Sequence, residues 1–298
     1  MPKKDEKIDF RTIIKSIIKS ELSFLIDRIS LDFKINYKRK VSNWTLADFD
    51  SVLVAHMVFV SSFESKSGNM FQRIAREIAI LKYGKENVPL VMQGLGITDS
   101  DFEEIKKKYH GKEQAIFTRV DQSDCQRFIA NFKEIHKARG ERNNRIKSTL
   151  NQDKLKEIND EEFKMTKNIT CKPIDLMIYN PIDNKYYMME IKSCGGLDSS
   201  NAPANVIKML TEYAILGKDN VNLYFSTLYN FNGEGNPWTG QVKKYLSNEM
   251  LLIGKDFWEV VLPKEISFEE LGKIYNEVTK ELGVNEKINK LIKEVKRE

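Results

Sequence analysis

The sequence predicts a mixed α/β protein in which a helical N-terminal region precedes a mixed sheet with helices packed on it. Three observations carry that expectation. Apolar residues keep a helical period through the N-terminal part of the chain. After Lys172, β-branched and aromatic residues gather in short runs bounded by Pro, Asn, Asp and Gly. A helix-length segment then separates two of these runs, an order that lays a helix on a sheet.

From Ile8 to about Phe33, residues Phe10, Ile13, Ile14, Ile17, Ile18, Leu22, Leu25, Ile26 and Ile29 recur at helical spacing and predict one long amphipathic helix. A second apolar stretch runs from Trp44 to Phe63. Met70, Phe71, Ile74, Ile78 and Leu81 then mark one face of a further helix, which Gly84 ends at a C-cap position. Residues 99–150 are helical by period but highly charged, and 151–168 read as a polar connection or a frayed helix. Ile174–Tyr179 and Lys185–Lys192 form a predicted hairpin, Ala204–Leu216 a helix, and residues 220–229 a strand. The charged C-terminal stretch reads as helical and peripheral.

The composition narrows the function. With 298 residues, 41% of them hydrophobic, the chain has ample material for a core. No apolar run reaches the roughly 20 residues that span a bilayer, and the N-terminus lacks a signal-peptide core. The expectation is a cytoplasmic protein with no membrane association. Cys125, Cys171 and Cys194 are odd in number and form no CxxC pair, so neither a disulfide framework nor a zinc cluster is indicated. His56, His110 and His136 lack metal-ligand spacing, and no phosphate-cradling or nucleophile-elbow motif is present. A net charge of +5 permits binding to a polyanion, and basic clusters at 36–40, 106–112 and 137–147 would suit phosphates.

The chemistry concentrates in the hairpin "KPIDLMIYNPIDNKYYMMEIKSC". A four-residue loop, Pro181 to Asn184, sets Asn180 opposite Lys185 and therefore Asp175 opposite Glu190. Directly opposed side chains have Cβ atoms roughly 4.5–5.5 Å apart on one face. Because a strand alternates with period two, Lys192 shares that face and Ile191 points the other way. Two carboxylates so placed repel each other unless a cation lies between them, and Mg²⁺ accepts one or two carboxylates together with phosphate oxygens. Such a site is suited to phosphodiester hydrolysis, with Lys192 beside the attacked phosphate as electrostatic stabiliser or base. The [DE]xK spacing alone is cheap: Glu104-Ile105-Lys106, Glu162-Phe163-Lys164 and Glu294-Val295-Lys296 share it, but in charged helical segments. The competing reading is a surface hairpin whose Glu and Lys face solvent.

"PID" at 173–175 and "EIK" at 190–192 resemble the PD-(D/E)xK nuclease superfamily, with Ile174 standing between the proline and the acid. The downstream "NPWTGQVKKYLSNEMLLIGKDFWEVV" looks like the C-terminal part of type II restriction endonucleases of the TdeIII kind. The resemblance covers roughly Ser61 to Val261. It implies a restriction-endonuclease-like core at 61–262 with DNA-recognition elements, a helical N-terminal region at 1–60 suited to dimerisation, and a C-terminal helical extension at 263–298. It further implies a Mg²⁺-dependent homodimer that cuts double-stranded DNA at a short palindrome, GGNCC in relatives, alongside a cognate DNA methyltransferase. Asp175, Glu190 and Ile191 are then the expected metal contacts, and Asp175, Glu190 and Lys192 the catalytic residues. A further carboxylate often comes from a helix before the hairpin. Gln72 stands where an acid is expected, so Glu64 or Glu77 would substitute, with Glu64 preferred.

Candidate DNA contacts are the stripe Arg139, Arg142 and Arg145, then Lys208 in the helix after the hairpin, and Asn236, Gln241 and Lys243 downstream, with Trp238 and Lys244 beside them. Two alternatives stay open: a structure-specific repair or junction-resolving nuclease, and a non-catalytic DNA-binding protein.

Overall fold

The computed structural model describes residues 8–46, 48–88, 90–94, 115–119, 150–153, 155, 172–198, 201–216 and 221–295. They fall into two compact units, one of residues 1–78 with 262–298 and one of residues 79–261.

The first unit is helical. Its first helix, α1 (Phe10–Val41), starts where the Asp9 carboxylate accepts the Thr12 N–H, and ends on Lys38, Arg39 and Lys40, whose charges suit the negative end of the helix dipole. Ile14, Ile18, Leu22, Leu25, Ile29 and Phe33 form its buried stripe. The apolar stretch after Trp44 and the helix expected beyond it are one element, α2 (Ser51–Tyr83), which runs unbroken through Gly68. Gly84, at φ 85°, ends it in the left-handed conformation that glycine adopts without strain.

The C-terminal helices, here numbered ahead as α5 (Phe268–Glu281) and α6 (Val284–Val295), are integral to this unit rather than peripheral. Leu271, Ile274 and Val278 of α5 and Ile292 and Val295 of α6 are buried. Charge had suggested an exposed end, but the charges sit on one side of amphipathic helices whose other side packs. Part of that charge is matched across helices: Arg11 meets Glu270 at 2.8 Å and Glu277 at 2.5 Å, while Lys15 meets Glu281 at 2.6 Å. No helix among the described residues is long and apolar enough to cross a membrane.

Among the described residues, the second unit holds two sheets. In one, β1 (Leu90–Gly94) pairs in parallel with β2 (Ala115–Arg119) and antiparallel with β3 (Lys172–Pro173). The other has four strands in the order β4 (Leu176–Asn180), β5 (Lys185–Lys192), β6 (Val221–Thr227), β7 (Leu251–Ile253). The β4–β5 pair is antiparallel and both later pairs are parallel, so this is the expected mixed sheet. Its covering helix, α3 (Asn201–Leu216), crosses over between β5 and β6, and α4 (Lys255–Val261) follows β7.

The sheet face under α3 is fixed by alternation. Met177, Met188, Leu223 and Phe225 pack with Ala202, Val206, Met209 and Tyr213 of the helix. Beyond the reach of β7, the main chain of β6 is completed by a side chain: Gln152 donates to the Leu223 carbonyl at 2.8 Å and accepts the Leu223 N–H at 3.1 Å. That leaves no orphaned peptide group at Leu223.

In the first unit, apolar burial outweighs the surface ion pairs. Ile18→Ala should lower the unfolding free energy by about 2–5 kcal/mol. Lys19→Ala, which removes only a half-exposed pair with Glu281, should leave stability nearly unchanged. Urea denaturation of the two variants checks the ranking.

Candidate active site

The hairpin register is the one that brings the acids together. Leu176 pairs with Met189 and Asn180 with Lys185, so Asp175, one residue before β4, is next in line to face Glu190. The loop closes through its own polar groups: the Asp183 carboxylate accepts the Lys185 N–H at 3.2 Å, and Asn184 takes φ 56°, a conformation asparagine tolerates better than most residues. Glu190 and Lys192 share the face of Met188, which is the face α3 covers. Glu190 is thus in a dry setting, 0% exposed, while the Asp175 side chain is 10% and the Lys192 side chain 30% exposed.

Four charged groups converge there. Lys192 Nζ lies 2.6 Å from Glu190 Oε1. Lys208, from α3, donates to Glu190 Oε2 at 2.5 Å and stands 3.8 Å from Asp175 Oδ1. The other oxygen of Asp175 accepts the Ile191 N–H at 2.8 Å. This anchors the aspartate to β5, although it lies just outside β4.

The electrostatics differ between the two acids. Burial, then the charge of Glu190, pushes the Asp175 carboxyl up to about 7 against the pull of Lys208, the Ile191 N–H and Lys192. Burial also acts on Glu190, but Lys208 and Lys192 together outweigh it and hold this carboxyl below the ordinary glutamate value. Near neutrality Glu190 is therefore the fixed negative charge, and Asp175 is the group that gains or loses a proton.

Mg²⁺ fits this donor set. Two carboxylates are within its usual requirement, waters and phosphate oxygens completing the shell. Both Glu190 oxygens face an ammonium, Lys192 at Oε1 and Lys208 at Oε2, so this buried carboxylate is already a cation-binding group. Among the described residues no group of three or more His, Cys, Asp and Glu forms a metal cluster. Ile191 can contribute only its carbonyl oxygen, since its side chain is buried and its N–H is given to Asp175.

The other sequence candidates are distributed differently. Glu64 and Glu77 are exposed on α2 and, with Gln72, belong to the first unit, whereas the convergent cluster belongs to the second. Glu77 pairs with Arg76 at 3.3 Å. Arg139, Arg142 and Arg145 lie outside the described residues. Lys208, expected as a DNA contact, reaches the carboxylates directly. Asn236 and Lys243 are exposed, Gln241 is half-buried, and the Asn236 side-chain amide donates to the Asn232 carbonyl at 2.8 Å. Trp238 is buried and is a packing residue. It presses so closely on Gly195, just past β5, that a Cβ there would fall 2.7 Å from its ring, so glycine is required for the approach.

Lys208 could have been linked to the acids from sequence alone. Asn201, Asn205 and Lys208 recur at helical spacing beside the apolar stripe Ala202, Val206, Met209 and Tyr213, so Lys208 borders the buried face that meets the sheet.

No curated protein and no solved structure matches the chain. A family model described as "Type II restriction endonuclease, HinfI" matches residues 7–279.

An aspartate whose folded pKa lies near 7 against an unfolded value of about 3.9 loses stability progressively as pH rises between those values. In EDTA the wild type should therefore fall in stability relative to Asp175→Asn between about pH 4 and about pH 7 and run parallel to it above that window. Thermal unfolding across pH reads the difference, and a gap that does not vary with pH would contradict the assignment.

Proposed function

Given that the chain belongs to the HinfI family of type II restriction endonucleases, and so is a site-specific nuclease acting on double-stranded DNA, we propose that Asp175, Glu190 and Lys192 form a Mg²⁺-dependent active centre of the PD-(D/E)xK kind. The observation that carries this reading is the placement of Glu190, 0% exposed, beside Asp175 and within 2.6 Å of the Lys192 ammonium. A carboxylate without solvent is costly to keep charged, and a merely structural hairpin has no need of it.

Asp175 and Glu190 would hold the ion, which when bound supplies Lewis acidity toward the phosphoryl oxygen and acidifies a water. Lys192 brings positive charge to the rim of the cluster, where it steadies the negative charge that grows on the phosphate as water adds and the leaving oxygen departs. Glu190 keeps Lys192 aimed at that rim. The partial exposure of Lys192 and Asp175, against the full burial of Glu190, gives the cluster one side open to a substrate and one side closed by the sheet.

The target is proposed as a short palindrome read by a homodimer, since one centre cuts one strand and a two-fold protein matches a two-fold site. A cognate methyltransferase protecting the host's own copies of that site completes the proposal. The narrower TdeIII resemblance and its GGNCC target rest on residues 236–261 alone, whereas the family match is to HinfI. Arg139, Arg142, Arg145, Asn236, Gln241 and Lys243 are proposed DNA contacts. The arginines suit phosphates or guanine edges.

With Mg²⁺ the purified protein should cut plasmid DNA into discrete, reproducible fragments, and EDTA should stop it. Asp175→Ala and Lys192→Ala should each lower cleavage by at least about 10²-fold while DNA binding in Ca²⁺ persists. Fragments that depend on DNA structure and not on sequence would favour a repair-type nuclease. Unchanged digestion by either variant would refute the site.

A further inference from the structure

The Lys208 ammonium occupies the position where a bridging cation would be expected. It is 2.5 Å from Glu190 Oε2 and 3.8 Å from Asp175 Oδ1, so a single positive group stands against both acids. Lys192 meets the other oxygen of Glu190. A Mg²⁺ ion sits about 2.0–2.1 Å from each oxygen that binds it. It cannot share Glu190 Oε2 with an ammonium already at hydrogen-bond distance without steep repulsion between like charges in a poorly hydrated site.

The two lysines differ in what they meet: Lys192, the last residue of β5, meets Glu190 Oε1, whereas Lys208 faces both acids. Lys208 projects from α3 on a flexible four-carbon stem and is 33% exposed, so rotation about that stem carries its charge toward solvent without disturbing the helix.

Resting on the nuclease reading above, we propose that Lys208 is a resident counter-cation: it neutralises the acids of the metal-free site, yields its place to the divalent ion, and is thereby released toward the DNA phosphates. The exchange keeps the buried charge compensated in both states. Without it, an empty site would leave Asp175 and Glu190 facing each other with Lys192 alone to offset them. It also couples metal loading to DNA binding, since the cation displaced from the acids becomes available to the polyanion.

The test is calorimetric titration of Mg²⁺ into the metal-stripped full-length protein, wild type against Lys208→Met, with no DNA present. Loss of the competing ammonium should tighten Mg²⁺ binding by about tenfold. Lys208→Arg, which keeps the charge, should stay near wild type. Lys208→Met should also melt at a lower temperature in EDTA and show a larger Mg²⁺-induced rise in Tm than wild type. Should Lys208→Met fold poorly, Lys208→Gln supplies the same comparison. Equal or weaker Mg²⁺ affinity in the uncharged variants, with wild type still binding the ion, would overturn the counter-cation role and leave the nuclease reading intact. Failure of wild type itself to bind Mg²⁺, whether or not duplex DNA is then added, would overturn both.

Discussion

A carboxylate at 0% exposure in the middle of a sheet is the constraint around which the second unit is organised, and that carboxylate is Glu190. Its desolvation costs several kcal/mol unless positive groups compensate. Lys192 from the same strand and Lys208 from the covering helix do so, one at each oxygen. With Asp175 included, the cluster carries two acids and two bases, and its internal compensation lets it persist in an apolar layer between Met188, Phe225 and α3. The same arrangement is poised for change, because a dication or a phosphate alters the balance at once.

The surrounding fold serves this placement. Parallel pairing of β5 with β6 requires a crossover, and that crossover is the helix that delivers Lys208. The antiparallel turn before β5 delivers Asp175, and the Ile191 N–H fixes its carboxylate. Past Lys192 the chain turns under Trp238 at Gly195, and the Leu228 N–H donates to the Lys192 carbonyl at 3.1 Å, so the strand end carrying the lysine is tied to the end of β6. Each charged group is thus set by main-chain pairing or by helix packing, not by a free loop.

Much of this was legible before any coordinates. The four-residue loop and the period-two alternation of "KYYMMEIK" were enough to give the register that sets Asp175 against Glu190, because in a hairpin the turn length fixes every later pair. The mixed sheet and the helical N-terminal region followed from periodicity. Other features depend on tertiary packing and were hidden. The join of the Trp44–Phe63 stretch to the following helix was obscured by "SSFESKSGN", which breaks the apolar pattern although it is helical throughout, with Ser67 buried and Ser61, Glu64, Ser65 and Asn69 exposed. The C-terminal helices looked peripheral because their charges dominate the composition while their apolar stripes are narrow. That Glu190 is buried as fully as Ile191 was also hidden, because both faces of β5 are covered: Met188 and Met189 are both 0% exposed. Lys208 looked like a phosphate contact because only its place beside the apolar stripe of α3, and not its own charge, points it toward the acids.

The central claim is that Asp175 and Glu190 jointly hold one divalent ion. A crystal of the metal-stripped protein soaked in Mn²⁺, with diffraction collected at an energy where manganese scatters anomalously, tests it most directly. The account predicts a single strong anomalous peak between the two carboxylates. A peak elsewhere, with these side chains still bound only to Lys192 and Lys208, would contradict it.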